Sequence, residues 1–205
     1  MICRLIATLF AYLCATEARY FNEAKFKQAI AAHYNFVRGL HYAQPLQMDS
    51  SLEYSAYNWA RHLSNVDSYH KCLYHSRAGG ENIYFEWAYN EMSEEQLAWN
   101  SVKAFYDEIK SYDYSRPGFR HAAGHFTNMV WKNSQKMGIA IYHKIFTSNH
   151  GACNMGATPW RPKHGYMVVI HQWPNSNIMT NRQFVQNVLR PSRSYTFACP
   201  NCVVP

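Results

Sequence analysis

After its first twenty residues the chain has no uninterrupted apolar run long enough for a membrane helix, which excludes a transmembrane segment from the mature chain. It has no long run of one charge either. The 20 Lys and Arg outnumber the 13 Asp and Glu by seven but are scattered, which describes a basic surface rather than a dedicated nucleic-acid site. Zinc-finger spacing and an RNA-recognition signature are both missing, so nucleic acid is not the expected partner. No His-Glu-x-x-His motif and no Gly-x-Ser-x-Gly elbow occurs, which removes two common hydrolase designs. No Asn-x-Ser/Thr sequon is present, so N-glycosylation is not expected. Charge is sparse at 16% of residues and aromatics equally frequent at 16%, a composition that argues against disorder and for a packed core. A chain of 205 residues suits one such domain.

The opening MICRLIATLFAYLCATEARY is the one apolar exception. Arg4 supplies a basic start, residues 5–14 an apolar core, and Thr16-Glu17-Ala18 a small-residue cleavage site. It reads as a secretory signal over residues 1–18, or as a signal anchor if it is retained. Of the six cysteines, Cys3 and Cys14 leave with such a signal. Cys72, Cys153, Cys199 and Cys202 remain, an even number that implies two disulfides with three possible pairings in an exported chain. The Cys199-Pro-Asn-Cys202 end reads as a redox pair or a terminal clasp. The clasp is favoured because no thioredoxin-like strand and helix precede it.

Apolar residues at three- and four-residue steps (Phe26, Ile30, Tyr34, Val37, His41) predict a helix over 22–41. A second is predicted over 50–64, with Ser50 and Glu53 as a capping box and Leu52, Ala56, Trp59 and Leu63 as its stripe. A third begins near Ser93, with Ser93 and Gln96 as the box and Ala98, Val102, Phe105 and Ile109 as the stripe. Glu108 falls about 80° from the centre of that stripe at about 100° per residue, on a flank that can face a cleft. Pro117 and Gly118 break the chain before a short helix starting at Gly124. MGIAIYH and GYMVVIHQW read as two strands, with a long loop over 144–164 between them. The order gives an α/β domain over 22–185 and a tail over 186–205.

Four side chains stand out chemically. His125 lies in GHFTNMVW, His75 and Glu81 in LYHSRAGGENIY, and Glu108 in AFYDEIKSYDYSRPGF. Neutral imidazoles suit zinc or copper, and carboxylates either complete a metal shell or fix the imidazole tautomer. Ser76 directly follows His75, and adjacent side chains of an extended segment point apart, which disfavours a simple Ser–His dyad.

GHFTNMVW, GGENIY and FYDEIKSYDYSRPGFR, together with NFVRGLH (Asn35, Arg38, His41) and PLQMDSSL, resemble the CAP superfamily of cysteine-rich secretory, antigen-5 and pathogenesis-related proteins over about residues 26–184. Trp173-Pro174-Asn175-Ser176-Asn177-Ile178 is similar to the family's second signature. It departs where Ser176 replaces a Gly, and Ile170 stands where a Cys is usual. The resemblance implies a three-layer α/β/α sandwich with a small, mainly antiparallel central sheet. It implies that His75, Glu81, Glu108 and His125 converge in one cleft. There His75 and His125 would hold zinc or another divalent metal that the fold does not require, with Glu81 and Glu108 orienting them or completing the shell. The favoured disulfides become Cys72–Cys153 and Cys199–Cys202, with Cys153 a nonstandard partner. The implied role is a secreted, non-enzymatic binding or effector module. It would take a lipid (sterol or fatty acid) or an extracellular protein partner, as a monomer or weak dimer. The alternative is a metal-dependent hydrolase using Glu81 or Glu108 as base. Phe126, Met129, Val130 and Trp131 are expected in the core rather than on lipid, and Lys132, Lys136 and His143 on a solvated surface.

Overall fold

A computed structural model describes residues 21–66, 73–148 and 156–197. All six cysteines and the expected signal segment lie outside the described residues.

Helix α1, Glu23–Leu40, is capped by Asn22, whose side chain accepts from the Lys25 amide, and it buries Phe26, Ile30, Tyr34 and Val37 as its periodicity predicts. Helix α2, Ser50–Asn65, departs from expectation at its cap. Asp49, not Ser50, accepts from the Ser51 and Leu52 amides, while the Glu53 carboxylate goes to Lys27. A carboxylate one residue upstream satisfies two orphan amides and complements the helix dipole, so Ser50 becomes the first helical residue. Helix α3, Glu94–Asp107, is capped by Ser93 as predicted. The return half of the box does not form, because the Gln96 amide donates to Asn100 instead. Helix α4, Gly124–Met129, begins at the predicted glycine.

The sheet holds four strands in the order β1-β3-β4-β2. They are β1 (Gln47–Met48), β2 (Glu81–Ala88), β3 (Lys136–Phe146) and β4 (Lys163–Trp173). Only the β1–β3 pair is parallel. The two predicted strands are β3 and β4, both longer than foreseen, which shortens the loop between them. Strands β1 and β2 and the short helix α5, Asn181–Asn187, were not foreseen.

Period-two alternation builds the layers. Ile139, Ile141, Tyr166, Val168 and Ile170 enter the large core with α1, α3 and α4. Ala140, Met167 and Val169 face the other way, onto Ala56, Ala60 and Leu63 of α2. The result is the expected α/β/α sandwich. Phe126, Met129, Val130 and Trp131 are fully buried, as expected of core residues. Val188 and Phe197 join the same core from beyond residue 185.

Helix α2 rides directly on the sheet at Gly138. A Cβ there would come within 2.0 Å of the Glu53 nitrogen and 2.1 Å of the Leu52 carbonyl carbon, both backbone atoms. Backbone cannot rotate away as a side chain can. Gly138→Ala is expected to lower stability by about 2–3 kcal/mol, read as a reduced urea midpoint. A midpoint within error of the parent would show that α2 moves freely over the sheet.

Candidate functional site

The loop before β2, the first residue of β2, the start of α4 and the segment after β4 line one cleft of about 210 Å³. The structure brings the four side chains of the sequence reading together there as two clamps. In the first, His75 Nδ1 lies 2.7 Å from Glu81 Oε1. In the second, His125 Nδ1 lies 2.7 Å from Glu108 Oε1, and Glu108 Oε2 accepts from the His125 amide at 2.8 Å and the Phe126 amide at 3.2 Å. Glu108 thus serves the α4 N-terminus as well as the ring. Helix α3 has ended at Asp107, so Glu108 opens a 3-10 turn and not the helical flank predicted for it; the tighter turn still carries the carboxylate to His125.

The two ring centroids lie 6.4 Å apart with their planes tilted by 42°. Phe105 stacks on His125 at 5.2 Å, fixing the ring plane from the core side. Asn128, Ser176 and Asn177 line the same cleft, and Phe119 stands on its wall. Asn177 closes the floor: its amide donates to the Gly124 carbonyl at 2.9 Å and its oxygen accepts from Thr127 at 2.7 Å. Ser176, at the position where the second signature departs, is buried and donates to Asn128.

Glu81 is the most constrained group, with a side chain only 1% exposed. Beyond His75, it accepts from the Ser76 amide at 3.0 Å, from the Ser76 hydroxyl at 2.5 Å and from His171 Nε2 at 2.8 Å. Burial by itself would raise its pKa. The hydrogen bonds from His171, His75 and Ser76 outweigh burial and hold it down at about 2. The same contact pushes His75 up: its hydrogen bond to Glu81 exceeds the opposing effect of burial. Ser76 and His75 were expected to point apart. Instead both reach the Glu81 carboxylate, because the segment around them is irregular and bends at Arg77, φ 76°, rather than extending as a strand.

Sequence reasoning missed His171. It is 3% exposed on β4, and its Nδ1 lies 2.6 Å from Ser55 Oγ on α2. The only signal was the pair of polar residues His171 and Gln172 closing the apolar run MVVIHQW. It also did not assign Arg38 a role: the guanidinium is buried and donates to the carbonyls of Gln44, Met129, Trp131 and Ser134, which anchors the segment carrying α4. Of the surface cations named from sequence, Lys136 pairs with Asp49. His143 lies toward the opposite end of β3 from Gly138, which pairs with His171, and its ring stacks on Tyr166 and His164.

The chain is similar to known proteins in sequence and in fold. The model of the cysteine-rich secretory protein (CAP) family matches residues 31–155. Golgi-associated plant pathogenesis-related protein 1 of Homo sapiens is 28% identical over 174 residues, spanning 82% of this chain and 96% of that protein. Protein PRY2 of Saccharomyces cerevisiae is 56% identical over 41 residues, only 20% of this chain and 12% of that protein. Among solved structures, BmVAL-1 superposes with a TM-score of 0.55 at 20% identity, covering 85% of this chain and 87% of that one. NaASP2 with Zn2+ superposes at 0.52 and 18% identity, covering 78% and 85%. At these identities the structures share the fold.

Proposed function

Because this chain belongs to the cysteine-rich secretory protein (CAP) family, we propose that it is an exported binding module whose His75–His125 cleft takes a divalent metal, zinc foremost, with lipid as its leading ligand class. One observation carries the reading: each imidazole has its Nδ1 committed to a carboxylate at 2.7 Å, which leaves Nε2 as the nitrogen for a ligand. A shared ion at about 2.0–2.1 Å from each nitrogen, with tetrahedral angles, places the ring centroids about 5 Å apart. The observed 6.4 Å therefore asks the rings to close by about 1 Å. Among the described residues no group of three or more His, Cys, Asp or Glu side chains gathers to hold a metal. His75 and His125 would be the two protein ligands, with water completing the shell.

A bound divalent ion would supply positive charge and Lewis acidity to an anionic group entering the cleft. The protein's own residues orient and seal. Glu81 and Glu108 fix the tautomers, and Phe105 holds one ring plane. Both carboxylates are occupied in this way, so neither is free as the base that a metal-dependent hydrolase would need at this cleft. The lipid reading draws on the rim. Phe119 is 41% exposed, and Ile178 and Met179, directly after Asn177, are 45% and 68% exposed. These offer apolar contact beside a polar cleft. Among the described residues no helix is long and apolar enough to cross a membrane.

Zinc titration into metal-free protein should show one saturable site that weakens in acid, because protonated imidazole cannot ligate. The His75→Ala/His125→Ala double variant should lose affinity by about 100-fold or more. Unchanged affinity in that variant would remove the assigned site. Mass spectrometry of natively secreted protein tests the lipid half: co-purified sterol or fatty acid supports it, and lipid-free protein that takes up neither argues for a protein partner.

A further inference from the structure

A second constellation lies on the α2 side of Glu81. Ser55 Oγ is 2.6 Å from His171 Nδ1, and His171 Nε2 is 2.8 Å from Glu81 Oε2. The three residues come from α2, β4 and β2, so the register of the sheet and the seating of α2 on it create the alignment. Hydroxyl, imidazole and buried carboxylate in series are the arrangement that turns a weak alcohol into a nucleophile. The ring is reversed relative to the usual serine-hydrolase arrangement, with Nε2–H on the acid and Nδ1 toward the serine, but either nitrogen can accept the proton.

The burial pattern fits the roles. Glu81 and His171 are sequestered from water, whereas Ser55 is exposed at the surface of α2. It opens onto a groove lined by Tyr54, Trp59, Ser76 and Arg77, which adjoins the two-histidine cleft at Ala78. Trp59 forms one wall: its indole N–H donates to the Tyr74 carbonyl at 3.1 Å and its ring stacks on His62. Tyr54 is 70% exposed and offers an aromatic face. Arg77 is held in the left-handed region at φ 76°, an uncommon conformation for a residue with a Cβ, and it supplies the groove's cation. Ser55 Oγ also lies 3.0 Å from the Leu52 carbonyl of its own helix. The hydroxyl has one proton and two acceptors in reach, and the shorter contact is the one to Nδ1.

We propose that Ser55, His171 and Glu81 form a metal-independent acyl-transfer site for carboxylic esters, with an apolar arm lying along Trp59 and Tyr54 and the developing oxyanion facing Arg77. Ser55 Oγ bonds to the carbonyl carbon while its proton passes to His171 Nδ1. The tetrahedral adduct expels the alcohol, which takes that proton, and leaves acyl-Ser55. Water then attacks with Nδ1 as base, releasing the carboxylic acid and restoring the serine. The net change is ester plus water to acid plus alcohol. Glu81 holds the ring and stabilises the imidazolium; it remains ionised throughout.

The test uses the full chain in EDTA, so that no metal at the cleft contributes. A p-nitrophenyl ester should give a burst approaching one nitrophenolate per chain, and a fluorophosphonate probe should leave a single adduct that peptide mass spectrometry places on Ser55. Ser55→Ala removes an exposed hydroxyl and should stay folded by circular dichroism while losing the adduct. His171→Gln should slow labelling by about 100-fold or more. An adduct on another residue, labelling of Ser55→Ala at the parent rate, or a folded parent that gives neither burst nor adduct would overturn the proposal. Zinc affinity is read separately, so failure here leaves the cleft reading standing, and the converse holds.

Discussion

Replacing Arg38 by alanine is expected to destabilise the protein by about 5 kcal/mol or more, enough to leave a marginal domain largely unfolded at 25 °C. The side chain is fully buried, and its partners are four backbone carbonyls: Gln44 at 2.9 Å from Nε, Met129 at 2.8 Å and Trp131 at 3.0 Å from Nη1, and Ser134 at 2.9 Å from Nη2. Burial pushes the guanidinium down to about 10, still well above neutral pH, so it stays charged. Three of the four carbonyls belong to the last residue of α4 and the turn after it. Alanine takes the guanidinium from the buried Met129 and Ser134 carbonyls, leaves the Trp131 carbonyl with only the Ser134 amide at 3.1 Å, and opens a cavity where the fork stood; each orphaned acceptor costs about 1–3 kcal/mol. Lysine at position 38 keeps the charge but cannot present a planar fork, so it should recover less than half of the loss. Urea denaturation of the three proteins decides this. A loss below about 2 kcal/mol in Arg38→Ala would mean that water replaces the guanidinium at little cost.

The second large effect is at Glu81. Glu81→Gln keeps the shape but removes the charge and half of the acceptor capacity, and it sets an amide donor against groups that also donate. With His171 buried beside it, the expected loss is about 3 kcal/mol. Acid should produce a related loss in the metal-free parent. The pKa of Glu81 is about 2 in the folded protein against an ordinary 4.5, so its stabilisation is complete above about pH 4.5 and disappears as pH falls toward 2. That interval corresponds to an order of 3 kcal/mol. His75 works in the other direction: its raised pKa stabilises the fold below its ordinary 6.5 and ceases to do so as pH rises through the raised value. Stability curves from pH 2 to 5 should therefore be steep for the parent and shallower for Glu81→Gln. Parallel curves would show that other carboxylates govern acid unfolding.

Much of the fold was legible because the burial it needed was periodic. Phe26, Ile30, Tyr34 and Val37 repeat at helical steps and all are buried, and β3 and β4 are runs of β-branched and apolar residues. Strand β2 escaped because its polar residues sit at the site: Glu81 and Asn82 open a strand whose pattern turns apolar only afterwards. Helix α5 escaped because it is short and buries only Phe184 and Asn187. The four cleft residues were found by resemblance to a family, since nothing in the spacing of His75 and His125 brings them together. His171 and Ser55 were not found at all. They are separated by 116 positions, and their meeting depends on how closely α2 lies on the sheet, a distance set by the absence of a side chain at Gly138.

Glu81 divides its two oxygens between imidazoles that look into different openings of the molecule, His75 toward the cleft and His171 toward the groove. A carboxylate so shared is a common anchor, and anything that draws His75 away from it, or loads His75 with charge, alters the hold on His171. Any coupling that Glu81 carries between reversible occupants of the two openings is reciprocal, equal in factor whichever one binds first.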